Sequence, residues 1–400
     1  MKQHSQNMIS ENPKPQKVSG RLLALDILRG ITIAGMILVN NPGSWGHMYA
    51  PLRHAEWNGL TPTDLVFPFF MFIMGISTYF SLRKYDFKFS VKSFWKILRR
   101  SVLLFLIGMA VAWFGLFLRG LNNDATFLEA VFNFDRIRLL GVIPRLALCY
   151  GVGATMALLI PRKGLPLTVV AMLVVYAIVL IFGNGFEFSD KNVLYIVDNK
   201  IIGPNHLYKE TIGDISLHLD PEGLLSTFPS IAHMLIGFLC GGLIMSTRDN
   251  ELRINKLFIV GVILTFSGFL LDYGIPVNKK IWSPTFVLTT CGLASSFLGL
   301  LIWIIDIKGY RRWCRFFEVF GINPLFLYCL GAVMTLLISF IRVPFGESTM
   351  SIKGIVYSEY LLPLCGDDAT FASFMFAVVF LVVNWLIGLI LYKKKIYIKL

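Results

Sequence analysis

Long apolar runs separated by short polar, turn-rich segments set the pattern of this chain. A bilayer span needs about 20 mostly apolar residues. Ten runs read as spans: 22–40, 65–82, 101–118, 139–160, 166–183, 226–245, 257–271, 285–305, 319–340 and 371–392. The pattern predicts an all-α polytopic membrane protein of about ten transmembrane helices. A polar N-terminal tail covers residues 1–20, and a single transmembrane domain covers 21–400. The tail has no apolar core, so no cleavable signal peptide is expected. Gly237 and Gly241 have the spacing that lets two helices approach closely.

Charge gives the chain a direction. Lys and Arg collect on the cytoplasmic side of membrane proteins. With the N-terminus inside, inside segments hold 24 of the 37 basic residues and outside loops 11; Arg29 and Arg145 lie within spans. Both termini are therefore expected in the cytoplasm. The net charge of +13 might suggest a nucleic-acid partner. Its densest run, RKYDFKFSVKSFWKILRR, falls beside a span and reads as an anchor on anionic lipid instead. No nucleic acid is expected. A hydrophobic fraction of 56% with only 15% charged residues agrees with a bilayer location, since soluble domains carry about 25%. The six cysteines show no CxxC spacing and mostly fall in apolar runs, so neither a disulfide framework nor a metal site follows. The chain has no Asn-x-Ser/Thr site, which fits a bacterial cytoplasmic (inner) membrane.

The candidate chemistry lies in the segment 41–64, a Gly- and Pro-broken loop between the first two spans and outside the cytoplasm in this orientation. It carries His47, His54, Trp45, Trp57, Glu56, Asn58 and Asp64, and Asn40 precedes it. An imidazole near neutral pH can take a proton from an attacking amine or hydroxyl, and a carboxylate partner fixes its tautomer. Asp64 or Glu56 is the candidate partner of His54. Asn40 and Asn58 are uncharged donors suited to an oxyanion. Trp45 and Trp57 suit the apolar face of a sugar, with interface anchoring as the simpler role. The outside segments 184–225, which is acidic, and 341–370 are expected to roof the site.

Polar groups inside spans are costly and tend to be paired or functional. Asp26 and Arg29 stand three apart on one helix face, either as an internal salt bridge or as a phosphate holder with Asp26 orienting Arg29. Arg145, His233, Asn323 and Asn384 together suggest a polar passage through the bundle.

The blocks RLLALDILRG and HAEWNGLTPTDLVFPFFMFIMG resemble the heparan-α-glucosaminide N-acetyltransferase family of transmembrane acyltransferases. IRLLGVIPRLALCY, GPNHLY, DPEGLLSTFPSI, PVNKKIWSPTF and GINPLFLYC extend the likeness over residues 21–330. The resemblance implies transfer of acetyl from cytoplasmic acetyl-CoA, a cosubstrate, to an amino sugar or glycan acceptor across the membrane. It implies that His54 is the active histidine, as general base or acetyl carrier, with Asn40 closing the first helix. Candidate contacts for the phosphates are Asp26, Arg29 and Lys394, with its neighbours Lys393, Lys395 and Lys399. Arg145 and Asn323 are expected along the pantetheine path, and no metal is implied. The lipid bilayer is the remaining partner, and a homodimer is compatible. The alternative function is a membrane transporter of amino sugars or small glycans, against which the absence of an evident inverted repeat counts.

Overall fold

The computed structural model describes residues 22–123, 125–346 and 348–398. The tail over 1–20 and Lys399 lie outside the described residues. The fold is all-α, with two small hairpins. The helices of nine residues or more are α1 Leu23–Val39, α2 Val66–Leu82, α3 Val91–Asn122, α4 Val142–Leu159, α5 Leu165–Phe182, α6 Val193–Ile201, α7 Leu224–Ser246, α8 Asn250–Asp272, α9 Pro284–Ile302, α10 Cys314–Ile322, α11 Pro324–Phe340 and α12 Ala369–Lys393.

Among the described residues eight helices are long and apolar enough to cross a membrane, or nine if α10 and α11 form one broken span. That makes the chain an integral membrane protein. The first expected span is α1, whose 17 residues reach about 25 Å at 1.5 Å per residue. Twelve of those residues are buried, because α1 packs against α2, α10, α11 and α12. It is an inner helix of the bundle, apolar on nearly every side.

Two spans differ from expectation for local reasons. The expected 101–118 span is the C-terminal part of α3, which begins at Val91 and has 32 residues. Ser90 starts it: its Oγ accepts from Ser93 N at 3.1 Å, while Ser93 Oγ accepts from Ser90 N at 3.0 Å. Lys92, Lys96, Arg99 and Arg100 are good helix formers, so much of the basic run is helical. The expected 319–340 span is bent by 85° between α10 and α11. Pro324 has no N–H to continue α10 and disfavours helical backbone at Asn323.

The helices α7 and α9 form the buried centre with α1 and α2, while α3 and α8 are mostly exposed. Small residues allow that centre to close. A Cβ on Gly75 would meet the Met234 carbonyl, and one on Gly237 would meet that of Phe72, so α2 and α7 touch backbone to backbone. Two segments expected as loops carry structure of their own. Within 184–225 lie α6 and the hairpin β1 Glu210–Ile212 with β2 Ile215–Leu217, paired antiparallel with Glu210 opposite Leu217. Within 341–370 lies β3 Arg342–Phe345 with β4 Ser348–Ser351, with Arg342 opposite Ser351.

Candidate functional site

The start of α2 builds the site. A short 3₁₀ turn, Pro62–Leu65, precedes it, and Asp64 in that turn is fully buried. Its Oδ2 accepts from Ala55 N (3.1 Å), Thr61 N (3.1 Å) and Thr61 Oγ1 (2.9 Å). These bonds fold the 41–64 loop back on the helix start. Oδ1 then faces His54 Nδ1 at 2.6 Å. An ionised carboxylate can only accept, so Nδ1 is the donor in this contact. The His54 side chain is 42% exposed while that of Asp64 is 1% exposed. The carboxylate is buried and the ring reaches toward solvent.

A third group was not singled out in the sequence. Lys279 Nζ lies 3.0 Å from His54 Nδ1, 3.5 Å from its Nε2 and 3.3 Å from Asp64 Oδ1. It comes from the turn between α8 and α9, and that turn is stapled to the His54 loop. Gly59 N donates to Val277 O at 2.7 Å, and Asn278 Nδ2 donates to Asn58 Oδ1 at 3.1 Å. Only glycine tolerates the φ of +112° at residue 59 cheaply. Burial lowers the Lys279 ammonium from its usual range, against the pull of Asp64 and Glu222. Two adjacent lysines in a loop expected outside the cytoplasm run against the charge bias, but nothing in their neighbourhood pointed to His54.

Beside this lies a second buried charge cluster. Arg138 donates through Nε to Asp220 (2.8 Å) and through Nη2 to Asp220 and Glu222 (2.5 Å each). Its ring neighbour is Tyr208, at 5.0 Å. Burial alone would raise Glu222, but Arg138, Arg145 and Lys279 hold it below the usual carboxylate range. Arg138 also lines a cavity of about 690 Å³ between α1, α3, α4 and α11. Asn40, Asn41 and Thr335 are on its wall, and Arg119, Arg136 and Lys209 add further cations. Asn40 is exposed at the end of α1. Asn41 is buried, bonded to Ile37 O at 2.6 Å and accepting from Thr335 Oγ1. His54 and Asp64 are not on that wall.

The other expected residues divide by position. Trp57 is tied down, with Nε1 donating to Phe186 O at 2.6 Å and its ring 5.2 Å from that of Phe188. Trp45 is 62% exposed, and Glu56 and Asn58 are also exposed. Arg145 is buried, bonded to Gly223 O at 3.0 Å and to Ser226 Oγ, with its guanidinium 5.1 Å from the Trp282 ring. His233 flanks the same ring at 5.8 Å. At the opposite end of the bundle Arg29 meets Asp26 at 2.9 Å and Ser77 Oγ at 2.8 Å. Asn323 bonds Ile396 O and Ile398 N, both at 2.9 Å, and does not join Arg145 or His233. Lys394 is exposed just past α12. Among the described residues no group of three His, Cys, Asp or Glu could hold a metal ion.

Comparison with known proteins bears on this site. A family model described as heparan-alpha-glucosaminide N-acetyltransferase, catalytic, matches residues 21–270. Two curated relatives carry the name heparan-alpha-glucosaminide N-acetyltransferase. The Mus musculus protein is 26% identical over 368 residues, covering 78% of this chain and 53% of its own. The Homo sapiens protein is 29% identical over 368 residues, covering 77% and 52%. The chain thus spans about half the length of the curated relatives it matches. The matched segment contains Asn40, His54 and Asp64, and stops short of Lys279. With more than half of its length under that family model, the chain belongs to the heparan-alpha-glucosaminide N-acetyltransferase family.

Proposed function

We propose that the protein is a transmembrane acetyltransferase that moves acetyl from cytoplasmic acetyl-CoA to an amino sugar or glycan on the other side of the membrane. The single observation that carries this is the 2.6 Å contact between His54 Nδ1 and the buried Asp64 carboxylate. The contact orients the ring through Nδ1, and in this reading Nε2 is the base. The acceptor amine attacks the thioester carbonyl while His54 takes its proton. The C–S bond then breaks as CoA leaves with that proton to give the free thiol. Alternatively, His54 itself displaces CoA from the thioester and passes the acetyl group on to the amine. Asn40, on the cavity wall, is the expected donor to the oxyanion that forms, and acetyl transfer then requires the thioester to reach from that cavity to His54. Trp45, with its exposed ring, is the better sugar platform. Trp57 is pinned, and Asn58 and Glu56 offer polar contacts.

Acetyl-CoA, when bound, supplies the activated acyl group. For its phosphates the donors at the far end suit an anion. Arg29 is already engaged by Asp26 and Ser77, which leaves the exposed Lys394 and its neighbours as the readier contacts. This direction places the Arg29 end in the cytoplasm and the His54 end outside it, with the protein in a bacterial inner membrane.

The test is release of free CoA thiol by purified protein given labelled acetyl-CoA and a panel of amino sugars. General-base help is worth about 10²–10⁴ in rate. His54→Ala should therefore lose at least roughly 100-fold in transfer while still binding CoA. Unchanged transfer in that variant would sink the assignment. Amino-sugar flux into sealed vesicles without acetyl-CoA would favour a transporter instead.

A further inference from the structure

The site holds one more group than a histidine–carboxylate pair requires. We infer that Lys279 is a positioning residue of this site, whose ammonium holds a second proton off His54 while Asp64 fixes the first on Nδ1. This rests on the reading of His54 as the working base.

The geometry carries the argument. A buried carboxylate beside a histidine favours the imidazolium, and an imidazolium has no lone pair with which to accept a proton. Asp64 alone would thus orient His54 and, by the same charge, tend to disable it as a base. Lys279 places an opposing charge within 3.0 and 3.5 Å of the two ring nitrogens. Nδ1 already donates to Asp64, so the ammonium does not donate to that atom. Its acceptor is Asp64 Oδ1, at 3.3 Å, and its effect on the ring is through charge.

The charged groups around the ring come from three elements. The turn before α2 supplies Asp64 and the turn before α9 supplies Lys279. The ring's own loop supplies Arg53, whose Nη2 leans toward Gly46 O at 3.4 Å, and the exposed Glu56. Behind Lys279, Glu222 acts on it by charge. The adjacent Lys280 is turned away, paired with Glu210 at 3.1 Å.

The turn that presents Lys279 is built to keep it there. Asn278 N donates to Ser283 Oγ at 3.0 Å. The Asn278 Oδ1 accepts from Lys280 N at 2.8 Å and Ile281 N at 3.1 Å. Val277 N donates to Asp272 Oδ1 at 2.6 Å. Trp282 closes the turn, fully buried, at a φ of +53°. A bulky side chain in that region is strained and persists only when its surroundings fix it. The rest of the turn would keep its shape without the lysine ammonium.

Transfer measured against pH in Lys279→Met, Lys279→Arg and the parent protein tests this. Where protonation of His54 sets the acid limb, losing the ammonium lets that proton bind more easily. The limb of Lys279→Met should then move to higher pH by about one unit, so the variant loses more at pH 6 than at pH 8. Lys279→Arg should restore the parent limb. The imidazole signal of His54, identified by its absence in His54→Gln and followed by NMR through the same range, should move likewise in Lys279→Met. This readout needs no activity. A Lys279→Met protein that keeps the parent's titration of His54 would overturn the inference, whatever its rate. Active His54→Ala protein would overturn the underlying reading while leaving the NMR shift intact.

Discussion

The two ends of the bundle handle charge in opposite ways. At the Arg29 end the described contacts are mostly local in sequence: an ion pair three residues apart on α1, with one hydroxyl from α2, and the buried Arg253 bonded to Ile244 O, Thr247 O and Asn250 Oδ1. At the His54 end, charges from the 41–64 loop, the Arg138 segment, the Asp220–Glu222 turn and the Lys279 turn gather in buried clusters. Burying a charge is costly unless each group is paired and its bonds are filled. The pairs at the His54 end join segments far apart in sequence, so the fold is holding a particular arrangement there. The same contrast appears in the helices, where α7 is 72% buried over its apolar window and α3 only 11%. The inner helices fix the site and the outer ones meet lipid.

The sharpest way to break this contrast is at Asp64. It accepts three donors through Oδ2 and faces two more groups through Oδ1. Asp64→Ala would leave Lys279 and the Thr61 and Ala55 donors without their acceptor. Removing one partner of a buried charged network typically costs about 3–5 kcal/mol, so this variant should unfold at markedly lower temperature in detergent. Asp64→Asn keeps an oxygen but no longer dictates which nitrogen of His54 bears the proton. Its transfer rate should fall by roughly 10²–10⁴. A fully active Asp64→Asn protein would show that the 2.6 Å contact is structural only.

Much of this contrast could be read from the sequence, for physical reasons. Apolar runs of span length leave little alternative to membrane helices, so the all-α class was legible. The pairing of His54 with Asp64 was one of two open options, because loop proximity in sequence brought both Asp64 and Glu56 within reach. The choice needed the 3₁₀ turn that buries Asp64 and leaves Glu56 exposed. Lys279 was not legible. It is 225 residues from His54, and no local pattern encodes a contact made by two loops meeting above a bundle. The break at Asn323 was hidden because mean apolarity runs through it unchanged, although Pro324 marked it. Likewise α6 and the β1–β2 hairpin are too short for their periodicity to stand out from the surrounding loop.

A smaller effect is expected at Asp198, on α6 at the His54 end. Burial pushes its carboxyl from 3.8 up to about 6, against the Leu225 N–H and the charge of Arg145. A group raised on folding adds stability below its unfolded value and loses it as pH rises through its folded one. Stability from Asp198 is therefore present at about pH 4 and gone above about pH 6. Asp198→Asn keeps an acceptor for Leu225 N, which donates to Oδ1 at 3.1 Å. The variant should melt higher than the parent at pH 7.5, by no more than about 3 kcal/mol of stability. The gap should close by pH 4. Parallel melting curves across that window would mean that Asp198 does not carry the cost assigned to it.

The Arg29 end should respond least. Lys394 is exposed, past the last turn of α12, and an exposed charge contributes about 0–1 kcal/mol. If it meets the phosphates of acetyl-CoA, Lys394→Ala should raise KM for acetyl-CoA by no more than about fivefold and leave kcat unchanged. Added salt should shrink the difference further, because exposed charges are screened within about 10 Å at 0.1 M. A fall in kcat matching that of the His54 variants would erase the distinction between the two ends. So would a KM effect indifferent to salt, since that would place Lys394 in a buried contact like those around Asp64.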